Sequence, residues 1–423
     1  MGSGPTAVFL TASIQPRKQG ANEPIDGDLD NLSRRRKAVV LGHGDTALGV
    51  VQAMAQAGIK VVYASTGIRD HARFSRFISD RVRGFSSEGD NRELLRLMLR
   101  TSNTWDGALL MPCDDVSVSF VSRNRDALVG RYVPTVQGWN VIKRIMNKRS
   151  LYLHAREINI PLPKVWFPDS IQSLAKHERG LCYPCLVKPY ESHRFFDVYQ
   201  KKLHVVHHPE ALIEKFCDAR QNGIDVMVSE IVPGKDDTLF NYHSYLDSRG
   251  DVLAEMCLQK LRQHPVGFGV SCLSKTVPMI GEIRAAALRL LKSLGYRGLS
   301  TVEFKHDNRD NQYKLMEINV RPVLQERLCM AAGMNLSFIA YLDLVEGVKQ
   351  RTTNYRLELY WQHDFLELIR LLHHRNLTLK SYLWPRTKNR VACVPLVDDP
   401  LPFVVKAWHQ CGMGRAFVRN LFS

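Results

Sequence analysis

The chain lacks any uninterrupted apolar run near the roughly 18 residues that a membrane-spanning helix needs. Close to the N-terminus only Ala7-Val8-Phe9-Leu10 is apolar before polar sequence resumes, too little for a secretory signal. Its nine cysteines are odd in number and scattered, which fits the reduced thiols of a cytosolic protein. Cys182-Tyr183-Pro184-Cys185 has redox or metal-ligand spacing, but no second pair or histidine cluster stands at zinc spacing. The pair also runs straight into the apolar Leu186-Val187, so structural thiols are the simpler reading. There is no Gly-x-Ser-x-Gly, and no cysteine sits beside an evident histidine, which argues against a covalent enzyme nucleophile.

Acidic charge is outweighed: 42 Asp and Glu face 58 Lys and Arg, a net +16. Such a balance attracts polyanions or anionic small molecules. Zinc-finger spacing, repeated basic–aromatic strips and an RNA-recognition signature are all missing, so a phosphorylated ligand is expected rather than nucleic acid. A length of 423 residues with 45% apolar and 24% charged residues predicts a globular protein of two to three domains.

Residues 1–37, rich in Gly, Pro, Asn, Asp and Ser and ending in Arg34-Arg35-Arg36-Lys37, predict a disordered arm. Residues 38–138 predict a small doubly wound domain. Strand Ala38–Leu41 leads through Gly42-His43-Gly44 into a helix to Gln56, Gly58 stops it, and strands 60–64 and 107–112 follow. After Gly44 the next glycine is five residues on, so the dinucleotide fingerprint is broken and NAD is not expected. Residues 139–349 predict an α+β domain. It opens with one helix from Gly138 to Ile158, and strands near 163–167, 185–189, 226–234 and 241–246 alternate with helices 210–222 and 279–294. From 350 to 423 the chain is basic, with eleven Lys and Arg against five Asp and Glu, and mainly helical. In this part Phe365, Leu368, Ile369 and Leu372 form a stripe at helical spacing. A capping layer and a membrane-surface element over 364–390 both fit that stripe.

The most informative stretch is Thr301–Lys305 followed by a polar turn, His306 to Asn311, and the alternating run Tyr313–Val320. This predicts a β-hairpin in which Glu303 opposes Glu317 while Asn319 shares the face of Glu317. Two opposed carboxylates repel. They are at home around a hard cation such as Mg²⁺, which takes oxygen ligands and joins carboxylates to nucleotide phosphates; the alternative is a solvated face. Other residues fall in a telling order. Lys148 lies on the first predicted helix, Lys188 closes an apolar strand in Val187-Lys188-Pro189, and Glu230 closes another before Ile231-Val232-Pro233-Gly234.

That order resembles the ATP-grasp superfamily: a Rossmann-like pre-grasp domain, a first lysine, Val-Lys-Pro, a Glu-x-x-x-Gly hinge and a paired-carboxylate hairpin ending in Glu-x-Asn. Within it the chain is similar to the carboxylate–amine ligases related to D-aspartate ligase. The stretches carrying this finer likeness are Lys260–Val270, Leu294–Gly298 and Asp398–Phe403.

The resemblance implies a two-lobed ATP-grasp domain after the Rossmann-like one, then the helical C-terminal region. It implies ATP and Mg²⁺, or Mn²⁺ in its place, as cofactors. Lys148 and Lys188 would hold phosphates, with Lys202 (or Lys201) helping because the stretch 192–202 lacks the glycines of the usual covering loop. Glu230 and the backbone of Ile231 and Val232 would bind adenine, and Asp237 the ribose. Glu303, Glu317 and Asn319 would hold the metal, while Lys260, Arg262 and Arg321 would face the transferred phosphate. Val320 stands where proline is common in the family. The implied activity is amide-bond formation from small carboxylate and amine substrates, in a cytoplasmic protein for which a homodimer is plausible. A catalytically reduced nucleotide-binding regulator and a basic nucleic-acid-binding protein are the competing classes.

Overall fold

The computed structural model describes residues 37–65, 67, 69–82, 91–100, 105–177, 180–373 and 389–421. The predicted arm lies outside these residues apart from Lys37, and so does 374–388 of the proposed membrane segment. Among the described residues no helix is long and apolar enough to cross a membrane.

Among the described residues three sheets organise the fold. The first is wholly parallel, with strands β1 (Ala38–Gly42), β2 (Val61–Ser65), β3 (Ile78–Val82), β4 (Ala108–Pro112) and β5 (Tyr132–Pro134) in the order β3-β2-β1-β4-β5. β1 and β4 are buried throughout, as expected of a sheet covered on both faces. The order reverses between β1 and β4, the point at which doubly wound sheets open a crevice beyond their strand ends. The helix Gly44–Gln56 follows β1 with the predicted end, and the helix Asp115–Arg123 follows β4 behind a capping box on Asp114.

The second sheet has β6 (Val165–Trp166), β7 (Cys185–Pro189), β8 (His204–Val206) and β9 (Val226–Glu230) in the order β6-β9-β7-β8. The third has β10 (Leu239–Leu246), β11 (Val252–His264), β12 (Val270–Val277), β13 (Gly298–Asp307), β14 (Gln312–Asn319), β15 (Tyr360–Gln362) and β16 (Arg390–Ala392). Its order is β14-β13-β10-β11-β12-β15-β16. The helix Gly281–Ser293 packs its buried Ile283, Ala287, Leu290 and Leu291 into the same core as Tyr242, Val302 and Phe304 of that sheet. Cys182 and Cys185 are free, and Cys185 is buried in β7.

Several local expectations change. The single helix from Gly138 to Ile158 is two, Trp139–Met146 and Lys148–Glu157. Asn147 between them is extended, and its side chain accepts from Ser150 N at 3.1 Å, a helix cap rather than a helical residue. Lys148 thereby becomes the first residue of a helix. The strand from Val226 does end at Glu230, where the hinge was expected to begin. The C-terminal part contributes β15 and β16 to the central sheet as well as the helices Asp364–His373 and Pro400–Leu421.

Of the stripe on Asp364–His373, Phe365 and Ile369 are half-buried. Leu368 is 45% exposed, whereas Glu367 is buried and pairs with Arg262 on β11 at 2.9 Å. The helix nevertheless packs on the sheet through β11 and β12. Farther along, Asp399 is buried and accepts from Gln52, Ser75 and Arg76 N, which ties the C-terminal segment to the first domain. A second tie surrounds Asp45, where His71, His363 and Lys406 converge on one carboxylate. Its oxygen, the His363 nitrogen and the Cys393 sulfur lie within 4.8 Å of one another, but the Lys406 ammonium supplies the cation there.

Candidate active site

The hairpin has the predicted register. Glu303 pairs with Glu317 and Thr301 with Asn319 across β13 and β14, and the four residues 308–311 make the turn. A bulge follows Glu303, so the residues nearer the turn are offset by one. Asn319 Nδ2 donates to Glu317 Oε1 at 3.1 Å, confirming their common face. The hairpin is also braced from outside, because the Tyr152 hydroxyl donates to Met316 O at 2.8 Å. That contact docks the helix Lys148–Glu157 on β14 and brings Lys148 to the carboxylates.

A cleft between the second and third sheets gathers Lys148, Lys188, Lys202, Glu230, Ile231, Val232, Lys260, Glu303 and Glu317. Apolar Leu186, Leu203, Leu239, Phe268 and Met316 line it too. Lys188 closes β7; burial, then the neighbouring Lys148, push its ammonium down to about 8. Lys148 Nζ donates to Ser192 Oγ at 2.7 Å. Ser192 starts the helix Ser192–Tyr199, which occupies the glycine-free stretch, and Lys202 follows it at the surface.

The carboxylates sit among these cations. Burial works against ionisation of Glu317, but Lys148, Lys202, its bond from Asn319, and Lys260 hold it well below the usual carboxylate range. Lys260 Nζ donates to Glu303 Oε2 at 2.7 Å. Burial opposes the Lys260 charge; Glu303, Glu317 and Asp236 outweigh it and raise its pKa. Two carboxylates and an amide oxygen on adjacent strands are a hard-oxygen donor set, and this fits Mg²⁺. Arg321 currently donates to Asn319 Oδ1 at 3.2 Å, and the second lone pair of that oxygen remains.

The hinge is held by groups that the sequence did not single out. Glu230 Oε1 accepts from Lys164 N at 2.9 Å, and its Oε2 lies 3.0 Å from Arg309. Lys305 Nζ donates to Val232 O at 2.8 Å and Gly234 O at 3.1 Å. Asp236 is buried and accepts from Gln263 N, Gln263 Nε2 and Gly267 N. Lys305 was findable, since it stands two residues beyond Glu303 on the same strand face. The links to Arg309 and Asp236 run through turns whose geometry no periodicity reveals. Beside them the loop joining β11 to β12 folds back so tightly that a Cβ on Gly269 would meet the His264 carbonyl carbon at 2.0 Å.

Four expected residues, Arg262, Asp237, Arg321 and Asn319, lie outside that cleft. Arg262 is engaged with Glu367. Asp237 is exposed on the short turn after the hinge, where its carbonyl accepts from Gln259. Arg321 donates to Asp115 Oδ1 at 2.8 Å, linking the first domain to the hairpin. Asn319 lines an adjoining pocket together with Asp115, Lys148 and Glu317.

Known proteins share this framework. Residues 275–342 match the model of the carbamoyl-phosphate synthase L chain, ATP binding domain. D-Aspartate ligase of Enterococcus faecium is 24% identical over 323 residues, covering 73% of this chain and 76% of that protein. Among solved structures, the biotin carboxylase domain of Hydrogenobacter thermophilus 2-oxoglutarate carboxylase, a complex with MgADP, ADP and bicarbonate, matches with a TM-score of 0.60 and 15% identity. That match covers 77% of this chain and 74% of the other. L-Amino acid ligase from Bacillus licheniformis matches with a TM-score of 0.56 and 14% identity over 74% of this chain and 75% of its own. The chain is therefore similar over most of its length to D-aspartate ligase, and residues 275–342 match an ATP binding domain.

Proposed function

We propose that the protein is an ADP-forming ligase that uses ATP to convert a carboxylate into an acyl phosphate and then joins it to an amine. The observation that carries this reading is the opposed pair Glu303 and Glu317 set among Lys148, Lys188, Lys202 and Lys260 in one cleft. The likeness to D-aspartate ligase and L-amino acid ligase supports the same reaction class.

A carboxylate resists amines because oxide is a poor leaving group. In the first step its oxygen bonds to the γ-phosphorus as the bond from that phosphorus to the β-bridging oxygen breaks, releasing ADP. The amine nitrogen then adds to the acyl carbon. The tetrahedral state collapses by expelling phosphate, and the nitrogen loses its proton. Both steps need positioning and charge stabilisation more than a protein nucleophile.

Lys148, Lys188 and Lys202 hold the phosphates. Glu230, fixed by Lys164 N and Arg309, steadies the hinge, whose backbone at Ile231 and Val232 reads the adenine edge between Leu186, Leu239 and Met316. Glu303, Glu317 and Asn319 would hold Mg²⁺, which when bound offsets the charge of the β- and γ-phosphates. Lys260 and Arg321, each hydrogen-bonded to that set, stabilise the transferred phosphate. Arg262 reaches it only on leaving Glu367, and Asp237 serves the ribose only if its turn shifts inward.

The test is incubation of the full chain with ATP, Mg²⁺ and pools of carboxylic acids and amines. Equal amounts of ADP, phosphate and amide are expected. ATP binding without acid-dependent ADP release would overturn the ligase reading, as would release of AMP and pyrophosphate.

A further inference from the structure

The pocket next to the nucleotide cleft carries an arrangement that ATP does not explain. It shares Lys148, Ser192 and Glu317 with that cleft, then continues to Asp115, Ser119, Arg123, Trp139 and Lys143. Asp115, Ser119 and Arg123 belong to the helix that leaves β4, beside the point where the parallel sheet reverses its order. Crevices at that point of a doubly wound sheet are where ligands bind.

The Arg123 guanidinium carbon lies 3.7 Å from the centre of the Trp139 ring, and its Nε donates to Ser119 Oγ at 3.2 Å. Stacking and the hydroxyl together fix the plane of the guanidinium and leave its terminal nitrogens unassigned. Lys143 lies one helical turn beyond Trp139, on the same wall. Among the described residues neither Arg123 nor Lys143 is paired with a carboxylate. The lining carboxylates are already committed or peripheral: Asp115 accepts from Arg321, Glu317 belongs to the hairpin site, and Glu191 is exposed at the rim. A pre-oriented guanidinium with a second cation beside it is the arrangement that recognises a carboxylate or phosphate by paired hydrogen bonds.

Resting on the ligase reading, we propose that Arg123, held flat on Trp139 and assisted by Lys143, is a specificity site for a second anionic group on the acid substrate. The acid activated at Glu317 then carries a further carboxylate or phosphate at its far end. Arg123 and Lys143 bind and orient that group and take no part in bond making.

The experiment compares matched acids on the full chain with ATP, Mg²⁺ and hydroxylamine as the surrogate amine, reading ADP and hydroxamate. Dicarboxylates and phosphate-bearing monocarboxylates are set against monoamides and hydroxy acids of equal length. Dianionic acids should be favoured at least tenfold in kcat/KM, and the better of the carboxylate and phosphate arms identifies the group. Arg123→Gln should remove most of that preference, largely through the KM of the acid, with the KM of ATP unchanged. Equal use of neutral-tailed acids, or an Arg123→Gln variant that keeps the discrimination, would overturn the proposal. Direct titration of the same dianions, followed by calorimetry on the wild type and the variant, decides the matter without turnover. Binding that is lost in the variant supports the site, and no dianion binding sinks it. Absence of turnover with every acid counts against the ligase reading instead.

Discussion

Glu303 lies directly opposite Glu317 across the β13–β14 ladder, and the two carboxylates are answered from different sides. Glu303 takes the Lys260 ammonium at 2.7 Å, while Glu317 is bonded by Asn319 at 3.1 Å and faces Lys148 and Lys202. Like charges at such positions are unfavourable by themselves. Their coexistence depends on the surrounding cations, and a divalent ion between them would complete the compensation.

Glu317→Gln keeps the shape and the bond to Asn319 while removing the charge. It should lower acid-dependent ADP release roughly a thousandfold or more, which corresponds to several kcal/mol of barrier. Circular dichroism should be unchanged. Near-normal Mg²⁺-dependent turnover in this variant would remove the metal role assigned to the hairpin.

Lys188 titrates near 8 because burial and the Lys148 charge disfavour its ammonium. The charged form meets phosphate, so ATP affinity should be greatest below pH 8 and fall as pH rises through 8 to 9. Bound phosphates raise the pKa again, and binding should therefore take up a proton near pH 8.5. Calorimetry in buffers of different ionisation enthalpy reads that uptake. Lys188→Met should abolish it; uptake that persists in the variant would assign the titration to another group.

Much of this site was legible because it obeys period two. Glu303, Lys305, Glu317 and Asn319 are placed by alternation along two strands joined by a polar turn, and the register followed from where the turn sits. The break at Asn147 was not legible, since the surrounding residues continue a helical pattern and only the side-chain cap on Ser150 reveals the stop. β15 and β16 are three residues each, too short for alternation to declare itself, and their neighbours on the sheet are distant in sequence. Glu367 is buried on an otherwise amphipathic helix. Its burial depends on Arg262, more than a hundred residues earlier, and no local pattern links the two.

That pair makes its own prediction. Burial lowers the Arg262 pKa and raises that of Glu367, so both charges are held at a cost and each relies on the other. Arg262→Met should destabilise the fold by about 3 kcal/mol, because the buried Glu367 carboxylate loses its hydrogen-bonded partner and keeps only the charges of Arg370 and Arg390. Arg262→Met combined with Glu367→Leu should recover most of the loss. Chemical denaturation measures the coupling. If the double variant is as unstable as the sum of the singles, the two residues act independently.

Glu326 behaves in the opposite sense to Glu317. Its side chain is fully buried under the helix Gly44–Gln56, where a Cβ on Gly49 would touch it at 3.0 Å. One carboxyl oxygen accepts from Ser337 N at 3.2 Å, and among the described residues the other has no hydrogen-bond partner. Burial accordingly pushes its pKa up to about 7. The unfolded chain releases this proton near 4.5, the folded protein only near 7. Between those values the folded state binds more protons, so stability falls as pH rises from 4.5 to 7 and stays reduced above. A shift of this size is worth about 3 kcal/mol at most. Glu326→Gln is neutral at every pH and nearly isosteric. It should raise the melting temperature by several degrees at pH 8 and have almost no effect near pH 4.5. A variant equally stabilised at both pH values would locate the benefit in packing, and a destabilised one at pH 8 would mean that the ionised carboxylate is needed where it lies.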